Sequence, residues 1–560
     1  GIANNLGAIA LGAGEWESAL RYFGTALEIE PNYGPALANV GIVMTKKPKF
    51  NSSNRKLYSP LIQLLSIGNF MPPAQLASCI LGLLRHDPLI KNLLLGNNSM
   101  TSLNSIIVSL DKLPLLHHLM RLCPLPDMHF EAMFAAMRRL LLENLDKIET
   151  SPEFIYFLST LSIHCFINEY VYVESDKEIC LVEELEDKII QTVAQSEQPE
   201  AMTILCLASY RPLHQYDWCQ KLEVLDDLKE VKKRLIEEPL TEKAIAKDIV
   251  LLEEISDDVS LKVRAQYEEN PYPRWIKTGI PTKAKSISEV CAEINLNLDS
   301  ESIKNVTAPA ILIAGCGTGQ HSIGTASRFS GCHVTAVDLS LASLAYAQRK
   351  TNELGLCNLN YLQADILHLH QMGKKFDIIE SVGVLHHMEK PMVGWGVLTS
   401  LLKLGGLMKI GLYSELARSQ IVKARKEIAS LKIGTSATEI RNFRESLIES
   451  EIHDVKQSSA FSDFFSVNQL STFADFFSLS EFRDLVFHVQ EHRFSLPQIK
   501  NCLDELGLKF CGFENEEAIS SFRELHGEEA DIYDLALWHQ YEESSPLAFA
   551  AMYSFWCQKP

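Results

Sequence analysis

The stretch Ile311-Leu-Ile-Ala-Gly315-Cys-Gly317-Thr-Gly319-Gln320 constrains this chain more than any other. Apolar and β-branched residues lead into three alternating glycines, and Ile323, Ala326 and Phe329 follow at helical spacing. Strand, glycine turn and helix in this order open a nucleotide-binding αβ unit. Glycine lets the backbone pass close to a ligand, where a Cβ would collide with it. Further on, Val334-Thr-Ala-Val-Asp338 reads as a second strand ending in an acid, placed to accept hydrogen bonds from ribose hydroxyls.

The glycine spacing separates two ligand classes. A dinucleotide fingerprint runs G-x-G-x-x-G, whereas here it is G-x-G-x-G followed by Gln320. This form resembles motif I of the class I S-adenosylmethionine-dependent methyltransferases. The residue two places before the first glycine, acidic in that family, is Ile313 here. Later segments resemble the same family in order. Asn360-Tyr-Leu-Gln-Ala-Asp365-Ile366 is similar to its third strand, with an Ala-Asp end that faces the adenine amine. Phe376 to His387 resembles the fourth strand and its loop, and Leu401 to Leu412 a helix end, glycine turn and fifth strand. The resemblance implies an α/β fold with a Rossmann-like seven-stranded sheet and S-adenosyl-L-methionine as cofactor. It places Ala314, Gly315, Cys316, Gly317, Thr318, Gly319, Asp338, Leu339, Ala364, Asp365, Ile366 and Ser381 around that cofactor.

The chain has 560 residues, room for roughly two to four domains. A formal charge of −19 and a pI near 5.4 argue against nucleic acid as the main partner. No apolar run approaches the roughly 20 residues of a membrane span, and no charged-then-apolar leader opens the chain. The 13 cysteines lack C-x-x-C spacing and read as buried thiols of a reducing compartment, so a cytoplasmic protein without a metal site is expected. Cys316 in the glycine turn reads as a packing residue.

Residues 4–37 carry a tetratricopeptide pattern at Leu6, Gly7, Ala10, Ala19, Phe23, Ala26 and Pro31. The pattern restarts at Leu37, Val40 and Gly41, and Gly1 falls inside a repeat, so a fragment of a longer array is expected. The repeat suggests a groove for a protein or peptide substrate, with oligomerisation as the other reading. The expected organisation is a repeat at 1–47, a helical domain at 48–255, a linker and lid at 256–300, a catalytic domain at 301–412 and 495–560, and a helical, aromatic-rich insertion at 413–494. His117 and His118 have no third partner at metal-ligand spacing and read as an ordinary helix face.

Within the linker, Gln266-Tyr267-Glu-Glu-Asn-Pro271-Tyr272-Pro273-Arg274-Trp275 resembles a segment preceding the catalytic domain in bacterial proteins that join tetratricopeptide repeats to a methyltransferase. The whole chain is similar to that group, which leaves the substrate open. Tyr267, Tyr272, Arg274 and Trp275 are expected to form a lid over the cofactor or substrate, with interdomain packing as the bland reading. The insertion, rich in phenylalanine from Phe461 to Phe487, is expected to cover the same mouth.

Methyl transfer from a sulfonium mainly demands alignment of donor and nucleophile. A base is needed when the nucleophile is an alcohol, phenol or protonated amine, and His386 and His387, after the fourth strand, are the candidates. Their bland reading is a structural turn. The functional expectation is methyl transfer to an N or O nucleophile, on a protein engaged by the repeats. The alternatives are a small-molecule enzyme whose repeats oligomerise, and a non-catalytic scaffold.

Overall fold

The computed structural model describes residues 1–67, 70–94, 102–223, 228–281, 283–453 and 470–560. Phe461, Phe464 and Phe465, part of the expected aromatic cover, lie outside these. The chain divides into two compact units that cut across the sequence-based boundaries. One comprises 1–240, 275–279 and 433–482; the other comprises 241–274, 280–432 and 483–560. The segment 413–494 is thus shared between units.

The first unit is helical among its described residues. Ile2–Gly12 and Trp16–Ile29 pack as a hairpin. A Cβ on Gly7 would fall 2.4 Å from the Phe23 ring, so the small residue sets how closely these helices approach. Phe130, Phe134 and Phe157 are fully buried in the unit's core. Arg444 reaches Glu131 through two parallel 2.6 Å hydrogen bonds, and its Nε donates to the Phe476 carbonyl. The fork geometry compensates two buried charges that would be costly apart.

The second unit is built on seven strands: β1 (Ala310–Ala314), β2 (His333–Asp338), β3 (Leu359–Gln363), β4 (Phe376–Val382), β5 (Leu402–Leu412), β6 (Lys509–Phe513) and β7 (Tyr553–Gln558). Their order is β3-β2-β1-β4-β5-β7-β6, with β7 antiparallel to both neighbours and the other pairings parallel. β1 and β4 are buried along nearly their whole length, as expected of parallel strands covered on both faces. The strand order reverses between β1 and β4, and ligands of open αβ sheets bind at the carboxyl ends of strands at such a point. Trp395 and Trp538 anchor the core beside this sheet. Among the described residues, no helix is long and apolar enough to cross a membrane.

Candidate functional site

β1 ends at Ala314, and the three glycines that follow all take positive φ, 81° at Gly315, 50° at Gly317 and 85° at Gly319. L-residues avoid this region, which explains glycine at each place. The close approach they allow is to protein. A Cβ would lie 2.3 Å from Val384 at Gly315, 2.6 Å from the Tyr272 carbonyl oxygen at Gly317, and 2.6 Å from Ala347 at Gly319. The expectation that they clear space for a ligand is corrected in this respect: β4's loop, the Pro-Tyr-Pro segment and the helix Leu341–Glu353 occupy the space a side chain would need.

The turn is held from two sides. Asp338, at the end of β2, accepts from the Gly317 N–H at 2.8 Å and the Ser340 N–H at 3.0 Å. Burial raises its pKa above the ordinary aspartate value, against the pull of these donors. The cap of the following helix is Ser340, whose hydroxyl accepts from the Ser343 N–H, so Asp338 is left to face the cavity. On the other side, the Thr318 N–H donates to the Tyr272 carbonyl, and its hydroxyl to the Pro273 carbonyl. The Ser340 hydroxyl donates to the Tyr267 carbonyl, and Glu268 accepts from the Leu341 and Ala342 N–H groups. The segment 267–273 is thereby laid directly across the glycine turn.

These elements enclose a cavity of about 420 Å³. Of the sequence-derived candidates, Gly315, Cys316, Gly317, Asp338, Leu339, Ala364, Asp365, Ile366, Tyr267 and His387 line it. Ala314, Thr318, Gly319, Ser381, Arg274 and His386 are not among its lining residues. Ala314 and Ser381 are strand interior, with the Ser381 hydroxyl donating to the Ala314 carbonyl at 3.1 Å. Thr318 is spent on the lid, Gly319 on helix packing, and His386 lies fully buried with its ring stacked 3.8 Å from that of Tyr413.

Sequence reasoning overlooked Asp484 and His488, the inner residues of 483–494. The Tyr267 hydroxyl donates to Asp484 at 2.6 Å and accepts from His488 Nε2 at 3.1 Å. The signal for this pair was Asp484-x-x-x-His488, one helical turn apart. His387, Asp484 and His488 hold potential ligand atoms within 4.8 Å of one another, a metal-like grouping. Its hydrogen bonds oppose that role. The Gln490 N–H points at His488 Nδ1, which puts the His488 proton on Nε2, and the His387 and His488 rings stack at 3.6 Å, so no ion could lie in both ring planes. The grouping is a donor chain from His488 through Tyr267 to Asp484.

His387 Nδ1 donates to the Gln490 carbonyl at 2.7 Å, leaving Nε2 to accept from His386 Nε2 at 3.1 Å. Burial and the neighbouring His488 bring the His387 pKa down to about 3, and burial holds His386 well below the ordinary histidine value. An imidazole so placed takes up little proton near pH 7. The expected base role is not supported at either histidine: His387 lines the wall with both nitrogens engaged, and His386 packs off the wall against Tyr413.

The residues fit a nucleoside sulfonium ligand on structural grounds. Asp338 presents a carboxylate at the turn, where ribose hydroxyls would reach it. Asp365 accepts from the Leu367 N–H through Oδ1 at 2.9 Å, while its buried Oδ2 has no hydrogen-bond partner among the described residues. An orphaned buried acceptor beside Leu339 and Ile366 suits an amine at the edge of an apolar base.

A doubly wound αβ domain with its cavity at the β1/β4 switch point is the class this geometry defines. Residues 311–406 match the family described as "Methyltransferase domain". The curated relatives include an uncharacterised protein of Synechococcus, 37% identical over 125 residues, 22% of this chain and 30% of that protein. Two poppy enzymes match as well. A probable (S)-tetrahydroprotoberberine N-methyltransferase 2 of Papaver bracteatum is 32% identical over 14% of this chain and 22% of its own. The (S)-coclaurine N-methyltransferase of Papaver somniferum is 32% identical over 18% and 27%. The chain thus spans less than a third of these relatives' lengths. Among solved structures, PKMT2 from Rickettsia typhi aligns with a TM-score of 0.37 and 15% identity, over 50% of this chain and 54% of that one. Residues 311–406 thus carry a methyltransferase-type domain.

Proposed function

We propose that the protein transfers a methyl group from S-adenosylmethionine to the nitrogen of an amine. The observation that carries the reading is the convergence of the glycine turn, Asp338 and the unpartnered Asp365 oxygen in one cavity. When bound, S-adenosylmethionine supplies an electrophilic methyl on a good leaving group. The chain's own part is to hold, orient and shield. Asp338 and Asp365 hold the nucleoside, while Tyr267 and Tyr272 close the cavity over the turn and exclude water.

The choice of nitrogen rests on charge. Asp338, Asp365 and Asp484 line the cavity, and no lysine or arginine does so among the described residues. Such a wall favours cationic ligands. With His387 a weak base, an alcohol or phenol that must lose a tightly held proton in the site is poorly served, whereas an amine drawn in as its ammonium ion releases that proton to water and attacks through the lone pair so freed. We further assign tetratricopeptide character to the N-terminal hairpin, supported by the Gly7–Phe23 contact, and a role in recruiting a protein acceptor.

The test has two parts. Calorimetry with S-adenosylhomocysteine should show a single site, and labelled methyl transfer should favour amines over matched alcohols and phenols. A folded protein that binds no S-adenosylhomocysteine refutes the cofactor reading; preference for phenols refutes the nitrogen acceptor.

A further inference from the structure

The position two before Gly315 is Ile313, an apolar strand residue 2% exposed. On the adjacent strand its partner in register is Glu380, also 2% exposed. Glu380 Oε2 accepts from the Thr325 hydroxyl at 2.8 Å and from His321 Nε2. Both partners sit on Gln320–Arg328, the helix that leaves the glycine turn. The acid missing from β1 is therefore present one strand over, and it reaches the helix above the turn.

His321 lies in the first turn of that helix, and its partly exposed side chain lines the cavity next to Gly317. The carboxylate fixes the proton on Nε2 and with it the ring's orientation. No hydrogen bond to Nδ1 is made among the described residues. The other lining histidine, His387, has both nitrogens engaged. His321 is thus the basic side chain available at the glycine-turn end of a cavity that lysine and arginine do not line among the described residues.

The surrounding charges agree. Lys409 pairs with Glu380 in register on β5 and meets Glu514, which also binds Arg328 at 2.6 Å. Two acids and two bases balance within this part-buried group. In its imidazolium form His321 would present a positive charge to the cavity, with Nδ1–H as the donor to a ligand carboxylate. Burial pushes the Glu380 carboxyl up, but His321, Lys409 and Thr325 outweigh it and hold it below the ordinary value.

We propose that His321, oriented by Glu380, receives the carboxylate of the methionine portion of S-adenosylmethionine, and that this pair anchors the end of the cofactor left without an acid at Ile313. The inference rests on the methyltransferase reading and names a positioning device within it.

Two probes isolate the contact. S-adenosylhomocysteine carries the amino-acid end; 5′-methylthioadenosine keeps the nucleoside and thioether and lacks it. Calorimetry with both is run on the full chain and on His321→Ala, with Glu380→Gln as a second variant whose fold is checked by circular dichroism. The expected result in His321→Ala is a tenfold or greater loss for S-adenosylhomocysteine and less than a threefold change for 5′-methylthioadenosine. His321→Arg, which restores a cation, should recover most of the loss. Unchanged S-adenosylhomocysteine binding, or equal loss of both probes, overturns the proposal. Failure of the unsubstituted protein to bind either probe overturns the methyltransferase reading, and this inference with it.

Discussion

Replacing Asp338 with alanine separates what this carboxylate does for the ligand from what it does for the fold. It presently accepts the Gly317 and Ser340 N–H groups at 2.8 and 3.0 Å, and its remaining lone pairs face the cavity. Two ribose hydrogen bonds to a charged acceptor contribute about 3 kcal/mol at the low end, on the order of a hundredfold in Kd. The two backbone donors are satisfied before any ligand arrives, so their loss appears as stability. Burial of the carboxylate, visible in its raised pKa, offsets part of that, leaving a net destabilisation of about 1–3 kcal/mol. The substitution should therefore lower both the melting temperature and the affinity. Calorimetry with S-adenosylhomocysteine at a temperature where the variant is folded, together with thermal denaturation without ligand, measures the two losses apart. A change in Kd below about threefold, under roughly 0.7 kcal/mol, would refute the ribose assignment. Unchanged melting would show that Gly317 and Ser340 find other acceptors. Because the carboxylate form is the one that accepts, affinity should also fall with decreasing pH, starting above the ordinary aspartate range.

Gly317→Val forces a side chain into a left-handed residue, at about 1–2 kcal/mol, and drives Cβ onto the Tyr272 carbonyl. It should lower melting temperature as well as S-adenosylhomocysteine affinity, and normal melting would mean the lid does not rest on the turn. Tyr267→Phe leaves Asp484 and His488 without their shared partner. Stability should drop by about 1–3 kcal/mol and turnover by roughly tenfold, about 1.4 kcal/mol, while Arg274→Ala, which is off the cavity wall, should leave S-adenosylhomocysteine affinity within threefold. Burial keeps His386, His387 and His488 neutral in the fold, so below pH about 6.5 the unfolded chain takes up protons that the folded chain refuses. Stability should be level above that pH and fall below it, by up to about 1.4 kcal/mol per pH unit for each histidine; a melting temperature equal at pH 7 and pH 5 would contradict these burials.

The elements readable from residue order are local ones. Strand β1, the glycine turn and the helix after it are contiguous, and so are β2 with Asp338 and β3 with Ala364 and Asp365. Alternating glycines, apolar runs and terminal acids report these units because each depends on residues a few positions apart. The glycine turn, Asp338 and the Ala364-Asp365 end, which meet in one cavity, were therefore legible as a group, as was the Pro-Tyr-Pro segment beside them. The same local logic overreached at Ala314, Thr318, Gly319 and Ser381, which share the motif but not the cavity wall, since whether a side chain turns inward depends on the neighbouring strand and helix.

The remaining contacts join residues far apart in the chain. Tyr267 meets Asp484 across 217 residues, His321 meets Glu380 across 59, and Arg444 meets Glu131 across 313. No spacing rule reaches that far, because chain folding and not sequence distance brings these groups together. The insertion shows this most clearly. Its composition suggested one aromatic subdomain, yet 433–482 belongs to the helical unit and 483–494 to the catalytic one. The basicity of His387 was likewise beyond the sequence. A histidine after the fourth strand looks like a base until burial, a stacked imidazole and a carbonyl at Nδ1 are seen to hold it neutral.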